Sequence, residues 1–279
     1  MASLRKKIDF AVILRVKNAN PNGDPSNGNR PRTDYNGVGE ISDVCLKRKI
    51  RDRLQESGKS IFVQSDDLRN DDASSLRERA ENKLGKKLGS SETLALACAT
   101  WFDVRAFGQL FAFARKKGKN EEESGGGSVS IPIRGPVTVH SAFSIGPVEV
   151  TTTQITKSVS NDGDGGKRGP DTMGMKHRVD GGIYVFCGSM NPQLAERTGF
   201  AEEDAIAIKN ILPMLFENDA SSARPEGSMD VLKVFWWEHN SKSGQYSSAK
   251  VHSSLTVKAD GSYVLDHLRG LECQEVDGF

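Results

Sequence analysis

Apolar residues recur at every second position near the start of the chain: Ile8, Phe10, Val12, Leu14 and Val16. The residues between them are polar or of mixed character. A period of two is typical of a β-strand whose side chains alternate between its two faces. The pattern therefore predicts a strand over residues 8–16 with one strongly apolar face.

A helical spacing follows from about residue 41. The apolar positions that share one broad helical face are Ile41, Val44, Cys45, Leu46, Ile50 and Leu54. Ser42 is a candidate N-cap of this helix, and Ser57 with Gly58 predicts its end. The intervening residues 18–39 are rich in Asn, Gly, Pro and Arg. Because this loop follows the carboxyl end of a strand, it lies where α/β layers usually present ligand sites.

The rest of the chain continues with short elements separated by two long excursions. Two or three small helices are expected within residues 57–102, and a mobile surface loop at 116–128. Strand patterns occur at 129–139, 148–156, 183–186, 231–237 and 255–257, and an amphipathic helix with a kink at Pro213 occupies 202–216. Residues 157–182 form the second excursion. A loop that long, leaving and rejoining a sheet, is usually functional or disordered.

This order of elements predicts an α+β fold. Strands and helices that alternate irregularly favour an antiparallel or mixed sheet covered on one face. We expect a ferredoxin-like (RRM-type) core with two insertions.

The composition narrows the class of protein. The chain has 279 residues and a formal net charge of +1, so a polyanion must bind to local patches rather than to the whole surface. Four cysteines lie far apart without a CxxC pair, which predicts reduced thiols in a cytoplasmic protein, no structural zinc and no cofactor. The sequence shows neither a signal peptide nor an apolar run that could span a bilayer. We therefore expect a soluble intracellular protein.

Positive charge is concentrated in and after the first loop. Residues 30–53 contain seven Lys or Arg against four Asp or Glu. Small residues expose backbone N–H groups and the helix adds cations, an arrangement suited to phosphate. Lys47 and Arg51 are four residues apart and so share a helix face, with Arg48 beside them. RNA is therefore the leading candidate ligand, with Lys47, Arg48 and Arg51 on phosphates and Ser42 as a hydrogen-bonding partner.

Several segments together resemble one family, the Cas-seven backbone subunits of CRISPR Cascade in their subtype I-C branch. They run in order over most of the chain, which is more specific than any single motif. The segments are Asn18–Asp24, Asn29–Arg32, Gly37–Arg51, Asp103–Arg105 with Phe107 and Gly108, Gly135–Val137, Ile155–Lys157, Thr172–His177, Phe216–Asp219 and Ser222–Arg224.

The resemblance implies a hand-shaped, non-catalytic subunit for antiviral defence. An RRM-like palm (residues 1–56, 103–155 and 183–279) would carry helical fingers (57–102) and a thumb loop (156–182). Copies would polymerise along a CRISPR guide RNA into a helical filament, together with other Cascade subunits. The guide would then pair with target DNA, and a separate, recruited helicase-nuclease would cleave it.

The resemblance also implies which residues meet RNA. In the thumb, Met173 and Met175 would wedge between bases, because an unbranched thioether packs well against a base face. The further residues expected at the RNA are Asn18, Asn20, Arg30, Arg32, Ser42, Lys47, Arg48, Arg51, Phe107, Lys157, Lys176, His177 and Arg178. Buried core positions for the two methionines remain an alternative.

Two other functions stay open. Relatives of the type III kind cleave RNA with a divalent metal and a first-loop aspartate, and Asp24 and Asp34 both occupy that loop. A stand-alone RRM-like RNA chaperone would instead carry aromatic residues on two strands. The aromatic residues Phe235, Trp236 and Trp237 are expected to pack a core or an interface. Asp219 and Arg224 are expected to form a local ion pair.

Overall fold

The computed structural model describes residues 3–113, 129–156 and 173–279. The helices are α1 (Asp43–Glu56), α2 (Leu76–Leu84), α3 (Thr93–Thr100), α4 (Phe102–Phe107), α5 (Pro192–Thr198), α6 (Glu202–Ile211) and α7 (Ser248–Ser253). The strands are β1 (Ile8–Ala19), β2 (Gly23–Asp24), β3 (Arg30–Pro31), β4 (Val38–Ile41), β5 (Gly108–Phe113), β6 (Val129–Arg134), β7 (Val137–Val139), β8 (Ala142–Pro147), β9 (Val150–Thr156), β10 (Met173–Met190), β11 (Met229–Glu238), β12 (Leu255–Val257), β13 (Tyr263–Leu265) and β14 (Cys273–Asp277).

One antiparallel sheet organises the molecule, with strand order β14-β11-β1-β10-β8-β4. The first strand is central, since Val12 faces Phe186 of β10 on one side and Val234 of β11 on the other. Strands β7 and β9 also pair with β10. The α+β class with an antiparallel sheet agrees with the prediction.

The alternation of β1 supplies two cores. The side chains of Phe10, Val12 and Leu14 belong to the main apolar cluster, together with residues of α1 and α6. The opposite face contributes Ala11 and Ile13 to a second cluster that includes residues of α7 and of the β12–β13 hairpin. Both faces of the sheet are therefore covered, where the sequence predicted cover on one.

The aromatic residues of β11 divide between these two cores. Phe235 and Trp237 pack with Ile13, whereas Trp236 stacks on Phe10 with ring centroids 5.8 Å apart. All three aromatic side chains of β11 are buried. The prediction that they fill a core is confirmed.

A smaller cluster forms in the predicted fingers. The rings of Phe62 and Trp101 lie 4.7 Å apart, and Phe111 and Ile133 of the β5–β6 pair pack with them. This cluster therefore extends across the predicted boundary at residue 103, because Phe111 and Ile133, which follow that boundary, belong to it. Helices α2 and α3 agree with the two or three small helices predicted for residues 57–102, and α2 begins where the Ser75 hydroxyl accepts from the Glu78 N–H.

The second excursion is partly regular structure. Residues 173–182 were expected in a loop, but they belong to the long strand β10 and pair with β9 from Met173 opposite Thr156 to Val179 opposite Val150. Glycines and charges hide the alternation there, and the strand forms because β9, the preceding strand, supplies its hydrogen-bonding partners. The predicted mobile loop at 116–128 lies outside the described residues.

The last long helix changes its geometry near Pro213 as predicted, but it ends before the expected residue 216. Helix α6 stops at Ile211 and continues as a 3-10 turn, Leu212–Met214, around Pro213. Proline lacks the N–H that the helical ladder needs, which accounts for the change. Within the described part of the chain, no helix is both long and apolar enough to cross a membrane.

Candidate nucleic-acid interface

The first loop is an ordered miniature hairpin attached to the start of α1. Strands β2 and β3 pair, and the Asn20 side-chain amide donates to the carbonyl of Asn29 at 2.7 Å. The side-chain oxygen of Asn22 accepts from the backbone N–H of Ser42 at 2.9 Å and from its hydroxyl at 2.8 Å. The Ser42 hydroxyl in turn accepts from the Cys45 N–H, which confirms it as the N-cap. These bonds hold the loop rigidly against the helix.

Two predicted loop residues are less tightly held. Asn18 is exposed at the end of β1 in a left-handed backbone conformation (φ 54°), which asparagine tolerates better than most residues. Arg32 lies 3.5 Å from a carboxylate oxygen of Asp24, at a distance where the pair is weak. Both side chains therefore remain able to reach a ligand.

Carboxylates neutralise much of the cationic helix. Lys47 pairs with Asp43 at 2.9 Å, and Arg48 pairs with Asp52 at 2.9 Å. Arg53 is buried and donates to Glu56 at 2.7 Å. Lys47 and Arg48 stay partly exposed, so a phosphate can compete for them. The Lys47–Asp43 pair is partly exposed, and exposed pairs spaced four residues apart on a helix contribute only about 0.3–0.5 kcal/mol.

The Asp219 carboxylate lies close to three cations, two of which belong to α1. Lys49 is fully buried and donates to it, Arg224 donates to it at 3.0 Å, and Arg48 lies 3.6 Å away. Burial lowers the pKa of Lys49 to about 8, although the charge of Asp219 acts in the opposite direction. Burial alone would raise the pKa of Asp219, but the cations outweigh it and lower that pKa. The predicted ion pair of Asp219 and Arg224 is confirmed.

Arg51 faces the protein more than the solvent. Its Nε donates to Asp103 at 3.0 Å, and only 13% of its side chain is exposed. Its guanidinium also lies 5.1 Å from the centre of the Phe107 ring. A phosphate contact from Arg51, as predicted, would have to compete with this buried pair.

A cleft of about 390 Å³ opens beside α1, and we name it the Phe107 cleft. Its lining consists of Lys47, Phe107, Pro132, Ile133, Arg134, Gly135, Val137, Thr138 and Val139. Lys47 and Phe107 were predicted at the RNA, and the structure brings them together. Arg134 was missed, although it directly precedes the Gly135–Val137 segment that the sequence singled out.

The β9–β10 hairpin carries the predicted thumb residues. Met173 and Met175 are each 56% exposed and, with His177, occupy alternate positions of β10. The alternative that the methionines are buried in the core is wrong for these two positions. Ile155, on the paired strand β9, is also exposed. The paired ends of β9 and β10 therefore present an unusual apolar surface, formed by Ile155, Met173 and Met175.

One contact joins the first loop to this hairpin. Arg30 donates to the hydroxyl of Thr152 at 2.9 Å, and the same hydroxyl lies 2.9 Å from Nδ1 of His177. Two predicted residues that are distant in sequence, Arg30 and His177, thus meet through Thr152. The sequence offered no signal for Thr152, because it is one of three consecutive threonines in β9.

The remaining thumb residues differ in exposure and in ion pairing. Lys176 is exposed, whereas Arg178 pairs with Asp180 at 3.2 Å. Lys157 lies outside the described residues.

The first-loop aspartates serve the loop itself. Asp24 accepts from the N–H and the hydroxyl of Ser26, and these hydrogen bonds lower its pKa. Asp34 accepts from the N–H groups of Asn36 and Val38, both at 2.8 Å. Among the described residues, no three His, Cys, Asp or Glu side chains lie close enough to hold a metal ion together.

Comparison with known proteins adds a family assignment. The family model of CRISPR-associated protein Cas7 matches residues 6–274. A protein of Haloferax volcanii described as "CRISPR-associated protein Cas7" is 29% identical over 282 residues, which cover 96% of this chain and 79% of that protein.

Two solved structures are similar at a lower level. One is described as "CRISPR RNA-guided surveillance complex, pre-nicking"; its chain has a TM-score of 0.49 and 15% identity, over 83% of this chain and 78% of that one. The other is described as "CRISPR RNA-guided surveillance complex"; its chain has a TM-score of 0.48 and 17% identity, over 92% of this chain and 77% of that one.

Proposed function

The chain belongs to the Cas7 family of CRISPR-associated proteins, and from this premise we propose that it is a non-catalytic backbone subunit of a type I-C Cascade complex. Copies of the chain polymerise along the CRISPR guide RNA and present it for pairing with target DNA in antiviral defence. The family match over residues 6–274 carries this proposal. Other Cascade subunits complete the assembly, a recruited helicase-nuclease acts separately, and the complex works in the cytoplasm.

The order of the main elements supports an RRM-like palm. Along the chain they succeed one another as β1, α1, β8, β10, α6 and β11, and in the sheet the strands lie as β11-β1-β10-β8, all antiparallel. This order is consistent with the strand–helix–strand–strand–helix–strand arrangement of ferredoxin-like proteins, and it supports the proposed palm. The fingers inserted after α1 and the thumb inserted between β8 and β10 extend that core.

The contacts of the loop, helix and hairpin support a continuous path for RNA. The Arg30–Thr152–His177 contact joins the first loop to the thumb hairpin, and the N-cap of Ser42 joins the same loop to α1. Lys47 and Arg48 keep partial exposure along this path. Binding to single-stranded RNA without sequence preference needs such cations together with side chains that stack or wedge bases.

An endoribonuclease of the type III kind is the second candidate, with Asp24 or Asp34 as its metal-binding residue. The hydrogen bonds of both carboxylates to their own turns give each a structural role without a metal. No observation specifically favours the nuclease, and we treat the subunit as a scaffold.

Native mass spectrometry of the purified chain with single-stranded RNAs of graded length tests the proposal. A guide-binding filament subunit adds one copy for each fixed increment of nucleotides and leaves the RNA intact. A single bound copy at every RNA length would point to a chaperone instead. Fragments of regular length after addition of Mg²⁺ would point to the nuclease.

A further inference from the structure

The Phe107 cleft differs in charge from three other clefts of the described chain. Its lining holds two cations, Lys47 and Arg134, and no carboxylate. Three other clefts among the described residues each include at least one acid in their lining: Asp219, Asp180 or Asp204. A cleft with cations and no carboxylate favours an anionic occupant.

Of the two cations in the cleft, Arg134 has fewer contacts with other described residues than Lys47. It is exposed, and within residues 3–113, 129–156 and 173–279 its side chain has no ion pair or hydrogen bond. The Lys47 side chain has one partner, the partly exposed Asp43. A planar guanidinium with unoccupied donors is well suited to bind a phosphate in a bidentate manner.

Two glycines hold Phe107 and Arg134 in fixed positions. Gly108 and Gly135 follow these residues directly; Gly108 lies against the backbone at the end of β6, and Gly135 lies against the backbone at the end of α4. A Cβ on Gly135 would overlap the backbone of Ala106 and Phe107, and one on Gly108 would overlap the carbonyl of Ile133. Only glycine permits this close crossing. The ring and the guanidinium are therefore presented by rigid backbone.

The aromatic ring provides a surface for a base. Arg51 lies over the Phe107 ring at 5.1 Å and is itself held by Asp103. The ring is thus fixed on the protein side while it also lines the cleft. The cleft volume of about 390 Å³ falls within the range of about 300–1,000 Å³ usual for small-molecule sites.

We propose that the Phe107 cleft holds one nucleotide of the bound RNA, with Arg134 and Lys47 on its phosphates and the Phe107 ring against its base. The proposal rests on the proposed function and adds Arg134 and the base-stacking role of Phe107 to it. Base stacking on aromatic side chains is tolerant of sequence, as a scaffold for many guides requires.

Substitution of Arg134 tests the phosphate contact. Binding of a short single-stranded RNA is measured by fluorescence anisotropy at several salt concentrations, for the wild type, Arg134→Ala and a control, Arg269→Ala. Arg269 is exposed in the segment between β13 and β14. Its substitution by alanine removes the same charge at a position outside the cleft. We expect Arg134→Ala to weaken binding roughly tenfold and to reduce the slope of log affinity against log salt by about 0.7. The control is expected to bind like the wild type.

The base contact has a test of its own. Phe107→Leu keeps an apolar side chain but loses the aromatic face, so we expect weaker binding to RNA and unchanged binding to an abasic sugar–phosphate strand of equal length. Equal loss on both strands would overturn the stacking role.

The outcomes separate this inference from the proposed function. If the wild type adds stepwise to RNA while Arg134→Ala and Arg269→Ala bind equally well, the cleft is not a nucleotide site although the scaffold function stands. If Arg134→Ala affects only binding of single-stranded DNA, the assignment to RNA is overturned. A wild-type chain that fails to bind RNA in stepwise fashion would contradict the proposed function itself.

Discussion

Arg51 and Asp103 form an ion pair, 3.0 Å from Nε to Oδ2, that fastens helix α1 to the start of α4. Asp103 is almost fully buried and also accepts from the backbone N–H groups of Phe62 at 2.7 Å and Val63 at 3.1 Å. One carboxylate thus connects α1, the first residues of the fingers and α4. This contact gives Arg51 a structural role.

Loss of Arg51 is expected to destabilise the fold. Arg51→Met leaves the Asp103 carboxylate buried without its cation, which typically costs about 3–5 kcal/mol. Urea unfolding followed by circular dichroism measures this change. Arg51→Met combined with Asp103→Asn should recover part of the loss, because the amide oxygen can still accept from Phe62 without a buried charge. A variant as stable as the wild type that nevertheless lost RNA affinity would favour the predicted phosphate contact.

Because of Lys49, we expect the free energy of unfolding to change with pH in the alkaline range. Its pKa is about 8 in the folded chain, against 10.5 for an unburied lysine. Between these values the unfolded state holds a proton that the folded state has released, so the free energy of unfolding contributed by this group rises with pH. Below pH 8 both states are protonated, and the cost of burying the charge is fully present.

The matched variant is Lys49→Met, which keeps an unbranched side chain while Arg224 and Arg48 still accompany Asp219. We expect the rise in unfolding free energy between pH 8 and 10.5 to be smaller in Lys49→Met than in the wild type. Identical pH profiles of the two proteins, measured by urea unfolding, would rule out the lowered pKa.

Substitution of the first-loop aspartates distinguishes a scaffold function from a nuclease function. We expect the wild type to leave bound RNA intact with Mg²⁺ or Mn²⁺, and Asp24→Ala and Asp34→Ala to bind RNA without any change in cleavage. The physical reason is that each carboxylate is engaged by N–H groups of its own turn. Gel electrophoresis of labelled RNA checks this, and metal-dependent cleavage abolished by either substitution would establish the alternative function.

The sequence predicted those elements whose signals are local. The alternation at β1 and the N-cap of Ser42 belong to short windows, and both are found in the structure. Helix α5 was missed although its signals are also local: Asn191 caps the Leu194 N–H, Pro192 occupies the first turn and Gly199 follows in a left-handed conformation.

The pairing of charges was not predictable in this way. The cation excess of residues 30–53 is real, but Asp103 and Asp219 approach α1 from positions about 50 and 170 residues away. Only the tertiary fold determines which cations remain exposed to solvent. The same holds for β10, whose first residues become strand because β9 lies beside them.

The exposed methionines of the thumb provide the last prediction. Met173 and Met175 lie on a hairpin, each more than half exposed, and the Gln154 side-chain amide approaches the sulfur of Met173 at 3.0 Å. An exposed apolar pair contributes little to folding, so Met173→Ala with Met175→Ala should change the unfolding free energy by less than about 0.5 kcal/mol.

A wedge that displaces bases at regular intervals would leave the guide tolerant of mismatches with the same period. In assembled complexes, we expect wild-type target binding to show periodic tolerance of single mismatches and the double variant to lose that period, while the exposed β9 control Thr153→Ala retains it. Aperiodic tolerance in the wild type would show that these methionines do not wedge bases, and a large loss of stability in the variant would assign them to packing instead.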